Sequence, residues 1–359
     1  MYGSAWGKPP QGPSDDEVAK GDELVLQSWG FCKAKKHPSQ RHKTEAVETQ
    51  RKKQLQWRKR SSFIELDCGD DSFMVSNTYK VLGVADGVGE WNKTDGNAAA
   101  VANKLMQNSK LYSETHRGCF DSRTILSEAM EKTRRDKETP PGSTTACLAS
   151  LRQHKGPTSS LRTGVLNVIN IGNSNAMLIR NRSMVHRARE KMHGFNAPFQ
   201  LAVPPPRGTE MGEEIFNDSL ADAVHEEWEV REGDVLVMAT DGLYDNVFNS
   251  EIATVAGAMG RYDAPKDLFS YIPGFGSIIR AWLGLHEQPD ISLIDPYKVT
   301  KKLTMMAHER AYKQDVNTPF SYMLSSFLGE TKKGGKPDDV TVMLSRIVRR
   351  DELKRVTMW

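Results

Sequence analysis

Residues 235–245 read VLVMATDGLYD, a stretch in which an apolar run is followed by an Asp-Gly pair. The run Val235–Ala239 has the composition of a buried strand, and Asp241 with Gly242 has the composition of a tight turn. A carboxylate directly after such a strand is held by the sheet yet faces its rim, and a neighbouring glycine permits close approach by other groups. The stretch therefore predicts a strand whose end presents an acidic side chain.

Three further stretches place acidic residues at the edge of an apolar run. They are CGDDS with Asp71, GVADGVGEW with Asp86, and GGKPDDVTV with Asp338. A single Asp-Gly pair is most often a plain turn, but four such stretches in one chain favour a shared site. Oxygen ligands without a His or Cys cluster select Mg²⁺ or Mn²⁺ over Zn²⁺. Carboxylates in one pocket repel one another, so either cations bind there or some pKa values rise.

The remainder of the body predicts a mixed α and β fold. Strands are predicted from β-branched or alternating apolar residues at 79–85, 144–151, 165–171, 176–180, 235–239 and 340–348. Helices are predicted from three- and four-residue apolar spacing at 98–112, 252–259 and 295–314. The strands come singly or in hairpin-like pairs. This order favours antiparallel sheets covered by helices over a doubly wound parallel sheet.

Charge divides the chain near residue 60. The first 60 residues hold 13 Lys and Arg against 7 Asp and Glu, whereas the formal charge of all 359 residues is only +3. This asymmetry predicts a basic tail over 1–60, a body over 61–350 with an inserted loop at 261–294, and a short tail over 351–359. The basic tail is interpreted as a solvated arm, with a nuclear signal or a contact to nucleic acid or an anionic surface as alternatives.

Cysteine usage and hydropathy argue against a zinc protein, a disulfide-rich protein and a membrane-spanning protein. The four cysteines are scattered without a C-x-x-C pair, which predicts neither a zinc site nor a disulfide framework and fits a reducing compartment. They are Cys32, Cys68, Cys119 and Cys147. No run of 18 apolar residues occurs, so no membrane span is predicted.

The order and flanking residues of the four acidic stretches resemble the metal-dependent type 2C (PPM) family of protein serine/threonine phosphatases, across about residues 63–348. Further likeness lies in GSTTACL at 142–148, NIGNSNAML at 170–178, FNAPFQL at 195–201 and AHERAY at 307–312. FNAPFQL and GGKPDDVTV point to the branch that includes mitochondrial phosphatases of yeast and animals and related plant enzymes. The resemblance implies an α+β fold, a four-layer α-β-β-α sandwich in which helices flank two central antiparallel sheets.

The resemblance also implies a centre of two Mn²⁺ or Mg²⁺ ions at one end of the sandwich. Its direct ligands would be Asp71, Asp86, the Gly87 carbonyl, Asp241 and Asp338, and Asp86 would bridge both ions. Supporting positions or a weaker third metal site would involve Asp70, Asn173, Asp245 and Asp339. A water between the two ions would be acidified and would attack phosphorus in line, so Asp86 and Asp241 would be catalytic through metal-bound water.

Three departures from the family pattern motivate an alternative function. Val88 stands where many members have a His, no Arg directly precedes Asp70 to hold the phosphate, and Asn173 stands where the family has an Asp of the third metal site. The amide at 173 either weakens that third site, so that Asn173→Asp raises activity at high metal, or only shapes a turn. The alternative is therefore a catalytically weak member that binds phosphoproteins or scaffolds a complex.

The favoured function is metal-dependent hydrolysis of phosphoserine and phosphothreonine in proteins. The chain is expected to be a monomer whose partners are phosphoprotein substrates. Its N-terminus has no basic stretch followed by an apolar run, and the acidic cluster at 15–17 argues against a transit peptide. A cytoplasmic or nuclear location is therefore expected, with a mitochondrial location as the alternative that the branch suggests.

Overall fold

The computed structural model describes residues 23–35, 67–94, 96–153, 163–206, 215–260 and 296–356. The strands are β1 Leu24–Lys33, β2 Asp71–Val75, β3 Val81–Asp86, β4 Gly142–Thr144, β5 Ala146–Gln153, β6 Thr163–Ile171, β7 Asn175–Arg180, β8 Ser183–Arg187, β9 Met192–Gly194, β10 Ala197–Pro198, β11 Leu201–Val203, β12 Val224–Arg231, β13 Val235–Ala239 and β14 Val340–Arg349. The helices are a 3₁₀ helix Gly89–Lys93, α1 Ala98–Thr115, α2 Ser122–Arg135, α3 Asp241–Tyr244, α4 Asn249–Gly257, α5 Pro296–Ala311, α6 Pro319–Leu328 and α7 Arg350–Val356. The predicted inserted loop at 261–294 lies outside the described residues.

Two five-stranded antiparallel sheets form the centre of the fold. The first has the strand order β1-β14-β13-β7-β8, and the second has the order β12-β6-β5-β3-β2. Their facing side chains form one buried cluster that includes Leu26, Leu82, Leu166, Leu178 and Met238. Successive side chains of a strand point to opposite faces of the sheet. The central strands carry apolar residues on both faces, so the outer face of each sheet must also be covered.

Helices supply that cover on each outer face. Leu105 of α1 and Ile125 of α2 pack with Leu148 on the second sheet. Ile252 of α4 and Leu303 of α5 pack with Val237, among others, on the first sheet. Each helix buries one apolar stripe in this way. The α+β four-layer sandwich expected from the resemblance is confirmed.

Residues Leu24–Lys33 correct the predicted tail over 1–60. They form β1, which pairs with β14 from Leu24 opposite Arg349 to Lys33 opposite Val340. The short apolar run at 24–26 is fully buried. Leu24 and Leu26 pack between the sheets and Val25 packs against Val348 and Leu353, and this burial outweighs the charge of the segment around the run. At the other end of the chain, Arg350–Val356 forms a short helix in the range predicted as a tail.

The prediction that no cysteines pair is also wrong. Cys32, near the end of β1, forms a disulfide with Cys68, which is 36 residues further along the chain. The two cysteines become neighbours only because β1 joins the sheet, and spacing in the sequence carries no sign of that. Cys119 and Cys147 are free thiols. None of the described helices has the length and apolar character that crossing a membrane requires.

Candidate metal centre

The predicted carboxylates meet at one end of the sandwich, where strands of both sheets end. Asp71 begins β2 and Asp86 ends β3, and the two residues are directly opposite each other in the antiparallel ladder. Asp241 follows β13 as the first residue of α3, and Asp338 lies two residues before β14. Because β13 and β14 are paired neighbours, the two sheets each contribute two carboxylates to one site.

Two glycines allow the loops of this site to pack closely. Gly69 has a φ of +65°, and a Cβ added there would lie 2.2 Å from the carboxylate of Asp339. A Cβ added to Gly242 would lie 2.0 Å from the Asp339 carbonyl oxygen. Such distances are far below van der Waals contact, so only glycine fits at either position. The loops that carry Asp70 and Asp241 therefore both rest on Asp339.

Asp339 fixes backbone rather than facing the centre of the site. Its Oδ1 accepts a hydrogen bond from the Lys35 backbone N–H at 2.7 Å, and its Oδ2 accepts one from the Asp70 backbone N–H at 2.9 Å. The side chain is buried. Charge-assisted bonds of this kind are strong, so Asp339 ties the residues after β1 and before β2 to the loop before β14.

Asp71 is oriented by a threonine of the opposite sheet. The Thr240 hydroxyl donates to Asp71 Oδ2 at 2.8 Å and accepts from the Thr341 backbone N–H at 3.1 Å. The remaining oxygen of Asp71 and Oδ1 of Asp241 are buried, and neither has a hydrogen-bond partner among the described residues. A buried carboxylate oxygen without a partner is unfavourable unless a cation binds it.

Asp86 is held through its backbone. Its carbonyl oxygen accepts hydrogen bonds from the Thr144 hydroxyl and the Thr145 backbone N–H, both at 2.9 Å. Gly87, next in the chain, donates its N–H to the Asp70 carbonyl at 3.2 Å. The GSTTACL stretch singled out in the sequence thus fixes the strand end that presents Asp86.

Two lysines lie among the carboxylates. Lys336 Nζ is 2.6 Å from Asp241 Oδ2 and 2.8 Å from Asp245 Oδ2. Lys35 Nζ is 3.8 Å from Asp70 Oδ2 and 3.6 Å from Asp339 Oδ2. Asp338 lies between the lysines, with Oδ1 3.4 Å from Lys35 Nζ and Oδ2 3.4 Å from Lys336 Nζ.

Burial dominates the electrostatics of these carboxyl groups. Burial, followed by repulsion from Asp241 and Asp71, raises the pKa of Asp86 well above its usual range. Burial, with Asp339 the next cause, raises the pKa of Asp70 to about 6. Burial raises the pKa of Asp245 to about 7 although Lys336 opposes the shift. Without a metal ion, the site therefore holds protons more tightly than isolated carboxylates do.

The residues fit hard divalent cations. Within the described ranges, no three His, Cys, Asp or Glu side chains converge closely enough to form a complete metal site by themselves, and the two lysine ammonium groups stand between the carboxylates. The donor set is nevertheless composed of oxygens, two of which are buried without a partner. Raised carboxyl pKa values and unpartnered oxygens are both relieved by Mg²⁺ or Mn²⁺.

Comparison with known proteins assigns the family. No protein-family model matches the chain. The chain is 33% identical over 286 residues to "Protein phosphatase PTC7 homolog fig" of Drosophila willistoni, across 78% of this chain and 77% of that protein. The chain belongs to the PPM family of protein serine/threonine phosphatases. It is 30% identical over 282 residues to the Drosophila mojavensis protein of the same name, across 78% of each chain.

Among solved structures, the phosphatase shares its fold with the photosystem II phosphatase PBCP. The TM-score is 0.58 at 22% sequence identity, and the match covers 90% of this chain and 98% of that one. This likeness supports the layered architecture described above.

Asn173 of the phosphatase contacts the site directly. Its amide donates to Asp241 Oδ2 at 2.9 Å, and the side chain is buried. The interpretation that Asn173 only shapes a turn is therefore incomplete. Val88 donates its backbone N–H to the Ser143 carbonyl at 2.9 Å, and an apolar valine side chain cannot donate a proton as a histidine can.

Sequence reasoning missed both lysines. Lys336 stands inside the quoted GGKPDDVTV stretch, so its position two residues before Asp338 was a usable signal. Lys35 lies within the basic N-terminal segment, and its partners Asp338 and Asp339 are about 300 residues away in the chain. No local pattern distinguishes Lys35 from the neighbouring lysines.

A pocket of the phosphatase adjoins the carboxylates. Its volume is about 270 Å³, and Asn173, Asp241 and Asp245 line it on one side. Aromatic and Met side chains form much of the remaining wall, among them Phe195, Tyr244, Phe248, Phe320 and Met323. Phe195 belongs to the FNAPFQL stretch, so that stretch contributes to the surface beside the site. An apolar wall next to polar groups is typical of a pocket that binds an organic substrate.

Proposed function

We propose that this chain hydrolyses phosphoserine and phosphothreonine in proteins at a site that holds two Mn²⁺ or Mg²⁺ ions. The proposed ligands are Asp71, Asp86, the Gly87 carbonyl, Asp241 and Asp338. The observation that carries the proposal is that strand ends of both sheets present carboxylates at one end of the sandwich, and that Asp71 Oδ1 and Asp241 Oδ1 are buried and unpartnered among the described residues. When bound, the ions would activate the attacking water and stabilise charge on the phosphoryl oxygens.

The protein's own residues prepare the site for this chemistry. Thr240 orients Asp71, and Thr144 and Thr145 hold the strand end at Asp86. Asp86 lies directly opposite Asp71 in the β2–β3 ladder, and the resemblance to the family supports it as the ligand shared by both ions. Such pre-organisation keeps the carboxylates from rearranging when substrate binds.

Lys35 is the proposed contact for the substrate phosphate. The Lys35 side chain is 29% exposed, whereas that of Lys336 is 14% exposed. In the ion pairs of Lys35, the shortest distance from its ammonium to a carboxylate oxygen is 3.4 Å. A partly exposed, loosely paired ammonium can donate hydrogen bonds to a phosphoryl oxygen. Lys35 would therefore act where other family members have an Arg.

The pocket beside Asp241 supports a polypeptide substrate. Its aromatic and Met walls can bury apolar side chains adjacent to the phosphorylated residue. Hydrolysis of a phosphopeptide should therefore exceed hydrolysis of a small aryl phosphate in kcat/KM, because only the peptide reaches both the carboxylates and this wall.

The test is turnover of a phosphothreonine peptide and of an aryl phosphate with Mn²⁺, with Mg²⁺ and with EDTA. Wild-type chain should be active with metal and inactive in EDTA. Asp86→Asn should lower activity by about 100-fold or more, since even residues that only support metal ligands change activity 10- to 100-fold. Asp315→Asn, at an exposed aspartate outside the site, is the matched control. No turnover by the folded wild-type chain with either ion would favour the phosphoprotein-binding alternative.

A further inference from the structure

Lys336 has surroundings that differ from those of a surface lysine. Its ammonium lies 2.6 Å from Asp241 Oδ2 and 2.8 Å from Asp245 Oδ2, and its side chain is only 14% exposed. The side chain therefore places an ammonium group between two carboxylates, where a metal ion would otherwise be expected.

Hydrogen bonds and close packing fix the backbone of the loop that carries Lys336. Asn246 is fully buried; its Oδ1 accepts from the Lys336 backbone N–H at 2.9 Å, and its Nδ2 donates to the Lys336 carbonyl at 3.0 Å. A Cβ on Gly335 would lie 2.2 Å from the Arg310 carbonyl oxygen. The backbone before Lys336 therefore packs directly on α5, and the lysine occupies a fixed position in the fold.

One carboxylate oxygen of Asp241 already accepts two hydrogen bonds. Both Lys336 Nζ and Asn173 Nδ2 donate to Oδ2 of Asp241. The other oxygen of Asp241 is buried and has no partner among the described residues. A divalent ion requires acceptors, and it is repelled by an ammonium at contact distance. Oδ2 of Asp241 is thus occupied by the Lys336 ammonium, and Oδ1 remains available to a metal ion.

We propose that Lys336 is a positioning residue that serves as the resident cation between Asp241 and Asp245. It excludes a divalent ion from that position and leaves Asp241 Oδ1 available to the proposed two-ion centre. This role rests on the proposed function, because it concerns the same carboxylates. It requires the wild-type chain to bind two divalent ions, and it makes Lys336 rather than Asn173 the group that excludes a third.

The test counts bound Mn²⁺ without measuring catalysis. Metal-free full-length chain is titrated with Mn²⁺, and free Mn²⁺ is measured from its electron paramagnetic resonance signal. Wild-type chain should bind two ions, and Lys336→Met should bind one more. Lys336→Arg keeps the positive charge and should remain at two. Lys333→Met, at an exposed lysine of the same loop, is the matched control and should also remain at two.

Asn173→Asp keeps the test decisive if Lys336→Met fails to fold. This variant adds a carboxylate while Lys336 stays in place, so it should still bind two ions. Three ions in Asn173→Asp or in wild-type chain would overturn the proposal. The proposal would also be overturned if folded Lys336→Met still bound two ions, but more tightly than wild-type chain. Lys336 would then occupy the position of one of the two ions and would not exclude a third. No Mn²⁺ binding by wild-type chain, together with no peptide turnover, would instead refute the proposed function itself.

Discussion

Two halves of the metal centre contain the same kinds of group but hold them differently. The inner half consists of Lys336, Asp241, Asp245 and Asn173, and the outer half consists of Lys35, Asp70 and Asp339, with Asp338 between the halves. In the inner half the ammonium is 2.6 and 2.8 Å from its closest carboxylates and is largely buried. In the outer half the ammonium is 3.6 and 3.8 Å from the carboxylates and is about twice as exposed.

The difference shows how one residue type can serve two purposes within a site. A short, buried ion pair occupies the carboxylate oxygens and is costly to break, because removal of one partner leaves an uncompensated charge. A long, partly exposed pair is weak and leaves both partners available to other groups. The inner half is therefore closed by the chain itself, and the outer half remains open to substrate.

The largest expected effect concerns the anchor of the outer half. Cys32 is three residues before Lys35 and Cys68 is two residues before Asp70, so the disulfide joins both arms of that half. Cys68→Ser should lower the free energy of unfolding by about 4 kcal/mol, the loop-closure value for a separation of 36 residues. Urea unfolding of the oxidised proteins measures this, with Cys119→Ser, at a free thiol, as the control. Equal midpoints for Cys68→Ser and wild type would show that the disulfide does not support the outer half.

The next effect concerns the inner half. Gly242→Ala places a Cβ 2.0 Å from the Asp339 carbonyl oxygen, and backbone on both sides has to move. The expected loss of stability is about 3 kcal/mol, at the upper end for overpacked sites. Gly194→Ala is the control, because a Cβ there meets no atom within 4 Å. A thermal unfolding midpoint for Gly242→Ala within a degree of the control would contradict the close packing of α3 on Asp339.

The strands and carboxylates of the site could be predicted because their signals are local. Val235–Ala239 was predicted with the bounds that β13 has, and 340–348 differs from β14 by one residue. The range predicted as 144–151 is interrupted at Thr145, where β4 ends before β5 begins. Each acidic residue could be assigned to the rim because it lies next to an apolar run in the sequence or one residue away from it.

The missed features all depend on partners that are distant in the sequence. The strand β1 lies in a segment whose many charges conceal a short apolar run. The strand β12, VHEEWEVR, is an edge strand that exposes alternate charged residues, and its composition is dominated by that exposed face. Lys35 gains its role only when β1 pairs with β14. Such positions follow from the assembled sheet and not from any local pattern.

A third effect tests the hydrogen bond between Thr240, which precedes Asp241 of the inner half, and Asp71, which follows Asp70 of the outer half. Thr240→Val removes the hydroxyl that donates to Asp71 and accepts from the Thr341 N–H, while the size of the side chain is kept. A buried carboxylate and a buried N–H each lose a partner, so the free energy of unfolding should fall by about 2 kcal/mol in the metal-free chain. Thr240→Ser keeps the hydroxyl and should lose less. If Ser and Val variants unfold at the same urea concentration, packing of the methyl group rather than hydrogen bonding determines the role of Thr240.

The smallest expected effect separates the lysines by function. Lys35→Met should raise KM for a phosphothreonine peptide about five-fold, because a partly exposed charge-assisted hydrogen bond to the phosphate contributes roughly 1 kcal/mol. The Mn²⁺ count should stay at two, in contrast to the count expected for Lys336→Met, since Lys35 does not close off any carboxylate oxygen at short range. Lys33→Met, at the exposed end of β1, should change neither quantity. A changed Mn²⁺ count with unchanged KM in Lys35→Met would give the outer lysine the role assigned to the inner one, and the contrast between the halves would then be wrong.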